Sequence, residues 1–174
     1  MSSLLLVLRT SKTILPFLIG VYFLLAAIDN IADPSANWTY LVHVLSMDTV
    51  PAGSPLIFRA IGSPIVRRLF FDGLVAWELG TALLCFLGSI RLVRAWPGSR
   101  RQFSHAKTWA VAGLTCALAE WLFFFLIAAG EWFQIWRGSL SPLLGVAARM
   151  FAVTALCLIY LAQDEGDLDS SPSG

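Results

Sequence analysis

At 174 residues the chain is short for two domains and reads as one. Hydrophobic residues make up 57% of it and charged residues 13%, with mean hydropathy +0.74, whereas a soluble domain is about a quarter charged. That balance excludes an ordinary soluble globule, and a net charge of +1 leaves no basic field for nucleic acid.

The expected fold class is all-α: an integral membrane bundle of four transmembrane helices with a short amphipathic helix in the first outer loop. In chain order, Leu4 to Leu8 precede Arg9 and Lys12, and a second apolar run follows. A secretory signal places its charges before its apolar core, so a retained first span is expected over Thr13 to Ile31, with Pro16 in its first turn. The outer loop from Asp33 to Arg68 is not a plain linker. After Asn37, the expected cap, Trp38, Leu41, Val42 and Leu45 recur at helical spacing and make one apolar face. That helix either lies on the bilayer surface, caps the bundle, or forms a docking surface for a partner or ligand. Thr49 to Pro55 then reads as a turn. Asn37-Trp38-Thr39 has the form of a glycosylation acceptor, a triplet common by chance.

The second span is expected over Leu69 to Val93, with Ser63-Pro64 having the form of an N-cap followed by proline at the first helical position. The third runs over Thr108 to Gly130 and the fourth over Ser141 to Ala162, each close to the roughly 20 residues that cross a hydrocarbon core. Most tryptophans lie near the ends of these runs, where amphipathic rings settle. The tail, residues 164–174, is acidic and rich in Ser, Gly and Pro, a composition expected to be disordered. Orientation follows from the basic flanks. Arg9, Lys12, Arg91, Arg94, Arg100, Arg101 and Lys107 outnumber Arg59, Arg67, Arg68 and Arg137 by seven to four. This places both termini in the cytoplasm.

Glu78, Glu120 and Arg149 fall inside three different spans at similar depth, roughly 12–15 Å from the outer end at 1.5 Å per residue. A charge in hydrocarbon costs roughly 2.5–3.5 kcal/mol on insertion scales, so a partner or a task is expected. Helical faces place Glu78 with Thr81, Ala82 and Cys85. Glu120 falls with Gly113, Cys116 and Ala117, and Arg149 with Gly145 and Ala152. The layer reads as an ion-paired strut with Glu78–Arg149 at its core. A proton or ion relay, a polar ligand pocket and an intersubunit bond are the alternatives. Asp29 and Asp72 sit nearer the outer surface with Glu131 and the Arg67-Arg68 pair. Cys85, Cys116 and Cys157 lie in the spans and are odd in number, so no disulfide framework is implied. His43 and His105 fall on opposite sides, which argues against a bis-histidine haem. No cofactor and no metal are expected: zinc spacing, phosphate-cradling glycine loops and serine elbows are absent from the sequence.

Several stretches carry a resemblance. They are His43-Val44-Leu45-Ser46-Met47-Asp48-Thr49, Phe58-Arg59-Ala60-Ile61, Trp77-Glu78, Ala110-Val111-Ala112-Gly113-Leu114, and Gly130-Glu131-Trp132-Phe133-Gln134-Ile135-Trp136. In these the chain resembles a bacterial family of predicted small integral membrane proteins, a domain of unknown function. The resemblance implies four membrane helices in a bacterial cytoplasmic membrane and carries over no catalytic residue. Glu120 stands where that family is usually apolar, which makes it an individual addition. Weight shifts to an outer-loop surface of Trp38, His43, Asp48, Arg59, Glu131 and Trp132. The expected function is a non-enzymatic accessory or interaction protein of a larger membrane complex. Its partners would be the lipid bilayer and either other membrane-protein subunits or further copies of itself, with no nucleic acid. Proton- or ion-linked transport through the Glu/Arg layer is the alternative. A membrane-embedded enzyme using His43 and Asp48 is a second alternative.

Overall fold

A computed structural model describes residues 3–164; all of the acidic tail beyond Asp164 lies outside the described residues. Among the described residues the structure is helical, without strands. Helix α1 spans Ser3–Ala32, α2 Ser35–Ser46, α3 Pro64–Arg94, α4 Arg100–Ala106, α5 Thr108–Ala119 and α6 Pro142–Ala162. Between α5 and α6 the third span continues as a π-helix over Glu120–Trp132, closed by the Phe133 N–H donating to the Ala128 carbonyl five residues back. Four helical segments are long and apolar enough to cross a membrane: Ser3–Ala32, Pro64–Arg94, Arg100–Trp132 and Pro142–Ala162.

Helix α1 begins ten residues before the expected Thr13, and Pro16 therefore sits inside it rather than in its first turn. The reason lies at the end of the bundle that holds both described termini. Arg9 and Lys12, expected as basic flanks before the first span, lie inside the helix and are each 2% exposed. The Arg9 guanidinium donates to the carbonyls of Trp96 and Gly98 just past α3, and it lies 4.8 Å over the Phe103 ring. Lys12 and Lys107 both donate to the Gln163 carbonyl just past α6. Cations are stabilised where helices end and carbonyls lack partners, so α1 is extended to bring them there. Proline within a helix costs about 3 kcal/mol; packing offsets it, for Pro16 is itself buried.

Caps set the other boundaries. Ser63 accepts from the Val66 N–H with Pro64 in the first turn of α3, and Ser99 with Gln102 forms a reciprocal capping box on α4. The spans pack in sequence, α1 on α3, α3 on α5, and the third span on α6. Helices α3 and α5 approach closely through glycine. A Cβ at Gly88 would sit 2.3 Å from the Ala110 backbone nitrogen, and one at Gly113 would sit 2.6 Å from the Cys85 sulfur. The small-residue faces expected for the second and third spans thus meet.

The opposite end is capped by the loop. Leu45, Met47, Val50 and Phe133 form a separate buried cluster, and the Ile61 N–H donates to the Leu45 carbonyl at 2.7 Å. Helix α2 starts at Ser35; Asn37 is not its cap but donates to Asn30 Oδ1 at 2.6 Å. Met47 ends α2 in the left-handed region at φ 54°. Gly138 lies against Thr49, where a Cβ would be 2.2 Å from the carbonyl oxygen.

Candidate functional site

The three ionisable side chains of the spans do not form one layer. Glu78 and Glu120 are buried, at 5% and 2% exposure, but Arg149 is exposed on the outer face of α6. It forms no ion pair or hydrogen bond among the described residues, so the expected Glu78–Arg149 pair is replaced. The cause is the rotation of α6. Its packed face carries Ala147, Thr154 and Leu161, seven residues apart, together with Cys157. Gly145, Ala148, Arg149 and Ala152 are exposed on the other side.

Glu78 instead takes a neutral partner. The Asn30 amide donates to both of its oxygens, at 2.9 and 3.2 Å. Asn30 is 3% exposed and accepts in turn from Asn37, so α1, α2 and α3 join in one polar chain. Tyr22, Ala26 and Asn30 recur at four-residue intervals on α1 and line a cavity of about 300 Å3 with Glu78 and Glu120. Its walls are otherwise mainly apolar. Trp121, 6.1 Å from Tyr22 and 5.1 Å from Phe125 between ring centroids, gives one side an aromatic character. The cavity reaches the surface at Tyr40, Phe70 and Val146, which line it and are exposed.

The start of the π-helix coincides with Glu120. A wider helical turn at this point shifts which residues face inward, and such segments are frequent at functional sites. Among the described residues Glu120 Oε2 is buried without a hydrogen-bond partner, as is the Trp121 indole N–H. Among the described residues no group of three or more His, Cys, Asp or Glu side chains is placed to hold a metal ion. The three cysteines are free.

The outer-loop residues resolve into smaller associations. His43 Nδ1 lies 2.9 Å from both oxygens of Asp48, with the two side chains 43% and 48% exposed. Burial alone raises the Asp48 carboxyl, but hydrogen bonds from His43 and Ser46 and the nearby His43 charge outweigh it and hold its pKa low. Arg59 donates to the Trp132 carbonyl at 3.2 Å and stands 4.5 Å over its ring. Trp38 turns inward onto Phe71, edge to face at 5.7 Å. Glu131 is exposed. Asp72 pairs with Arg68 at 2.9 Å one turn away. Asn30 and Tyr22 were not singled out by sequence, because they are uncharged; their common spacing with Ala26 was the available signal.

A family model described as predicted small integral membrane protein matches residues 8–164 of the chain. No curated protein and no solved structure matches it.

Proposed function

The chain belongs to the family of predicted small integral membrane proteins, and on that premise we propose that it is an accessory subunit of a larger membrane complex, docked through the outer face of α6. The observation that carries this reading is Arg149. It lies seven residues past Pro142 (149 − 142) in a membrane-crossing helix, about 10 Å from its start. A guanidinium facing lipid there is costly unless it is paired. Long helical side chains lean toward the N-terminus, so the partner group would sit in the half of the span nearer the loop.

Charge complementarity calls for a carboxylate on a neighbouring transmembrane helix. A second copy meeting this face across a twofold axis would bring two Arg149 side chains together. The exposed small residues Gly145, Ala148 and Ala152 would let a different helix approach closely. We further assign the protein to the bacterial cytoplasmic membrane with both termini inside. The support for this is the family resemblance and the seven cations at the terminal end against four at the loop end.

A photo-crosslinking amino acid at Ala152 tests the docking face in native membranes. The expected result is a discrete protein adduct that persists in Arg149→Lys and disappears in Arg149→Leu. The same probe at Ile28 on α1 should give no such adduct. Crosslinking to lipid alone at Ala152 overturns the reading. A second reading, proton- or ion-linked transport, is favoured by the cavity that Glu78 and Glu120 share. It requires Glu78→Gln to change flux at normal expression.

A further inference from the structure

Two carboxyl groups line the same cavity, and among the described residues no lysine or arginine lines it with them. Asn30 occupies both oxygens of Glu78 as a neutral donor. Glu120, 2% exposed, has an oxygen with no hydrogen-bond partner among the described residues. A buried carboxyl oxygen in a mainly apolar wall is costly when left without a donor. The missing counterpart is therefore a hydrogen-bond donor, and positive charge on it would balance the acids.

The size and lining of the space say more about that donor. A cavity of about 300 Å3 lined by aromatic and aliphatic side chains is at the lower end of what small organic ligands occupy. It is far larger than a proton relay needs. A bare divalent ion would want about six or more oxygen ligands in a closed shell, and no such cluster is present among the described residues. Tyr22, Trp121 and Phe125 offer ring faces, which attract a cationic head. The mouth at Tyr40, Phe70 and Val146 lies on the surface of the bundle, near the loop-capped end.

We propose that this cavity binds an amphiphilic amine, with its apolar body along the aromatic and aliphatic walls and a protonated, N–H-bearing head donating to Glu120. The unpartnered oxygen requires a donor, so a primary to tertiary ammonium fits and a quaternary one does not. The ammonium could be that of a free alkylamine or of an aminophospholipid headgroup. The chemistry at Glu120 is common to both, and the proposal is independent of the partner at Arg149.

The test uses the full chain in phosphatidylcholine nanodiscs, with empty nanodiscs subtracted. Dodecylamine, dodecyltrimethylammonium and dodecanol are titrated while Trp fluorescence is followed. Saturable binding of dodecylamine, at least tenfold tighter than the other two, is expected. Glu120→Gln should weaken it tenfold or more. Ala26→Phe, which fills the cavity without changing charge, should abolish it. Adding phosphatidylethanolamine to the nanodiscs separates the two sources: competition identifies the lipid headgroup, and no competition identifies the free amine. Equal binding of dodecanol or of the quaternary compound to the wild-type protein overturns the proposal even where a variant fails to fold. Unchanged binding in a folded Glu120→Gln protein also overturns it.

Discussion

The Asn30 amide donates to both oxygens of Glu78, so removing it strands a buried carboxyl without its partner. Asn30→Leu is expected to lower stability by about 1–3 kcal/mol, measured by thermal unfolding in mild detergent. Glu78→Gln should cost less, because an amide can still accept from Asn30. At the loop, Asp48 has its pKa below the ordinary 3.8. A depressed acid contributes stability above its unfolded pKa and loses it as pH falls through the folded value. The contribution of the depressed Asp48 carboxyl is therefore present above about pH 4 and fades below it. Both side chains are about half exposed, so its size should stay below about 1 kcal/mol. Carboxyl chemical shifts should show His43→Ala returning Asp48 toward its ordinary value; an unmoved titration would assign the depression to Ser46 instead. Single charged residues inside apolar runs were legible from sequence. Their partners were not, because a neutral asparagine two residues from the end of α1 carries no charge to draw attention.

At the level of elements, the α3–α5 contact depends on side chains that are missing. A methyl at Gly88 would collide with the Ala110 backbone, whereas one at Gly80 meets nothing within 4 Å. Gly88→Ala is expected to cost about 1–3 kcal/mol through overpacking. Gly80→Ala should be neutral or slightly stabilising, since alanine favours the helix. Paired melts of the two variants check this, and equal melts would mean the interface yields. The four apolar segments and the amphipathic loop helix could be read from length and period. The rotation of α6 could not. A membrane helix is apolar on its packed and its lipid-facing sides alike, so hydrophobic periodicity loses its power to tell them apart. Gly145 and Ala152 look as suitable for packing as Ala147 and Thr154. The start of α1 was missed for another reason: Arg9 and Lys12 resemble interfacial flanks until the carbonyls that hold them are brought near.

On the scale of the whole molecule, the basic residues divide between the terminal end and the loop-capped end, and this asymmetry carries the proposed orientation. Thr39→Cys on α2 and Arg101→Cys on α4 place exposed thiols at opposite ends. Thr39→Cys should react with an impermeant maleimide in intact spheroplasts, and Arg101→Cys only after permeabilisation. The reverse pattern would invert the assignment. Cys85 and Cys157 are buried and Cys116 is partly so, which keeps the background low.

The Gln163 carbonyl receives Lys12 from 151 residues upstream and Lys107 from 56. A ribosome delivers that oxygen long after either lysine, so the first helix enters the bilayer with Lys12 still lacking this acceptor. Arg9, too, must wait for Trp96 and Gly98, 87 and 89 residues later. Contacts of such long sequence separation form slowly. Final closure of the bundle is therefore tied to completion of the fourth helix, and a nascent chain truncated before α6 would hold its opening segment in an unsettled, degradable state.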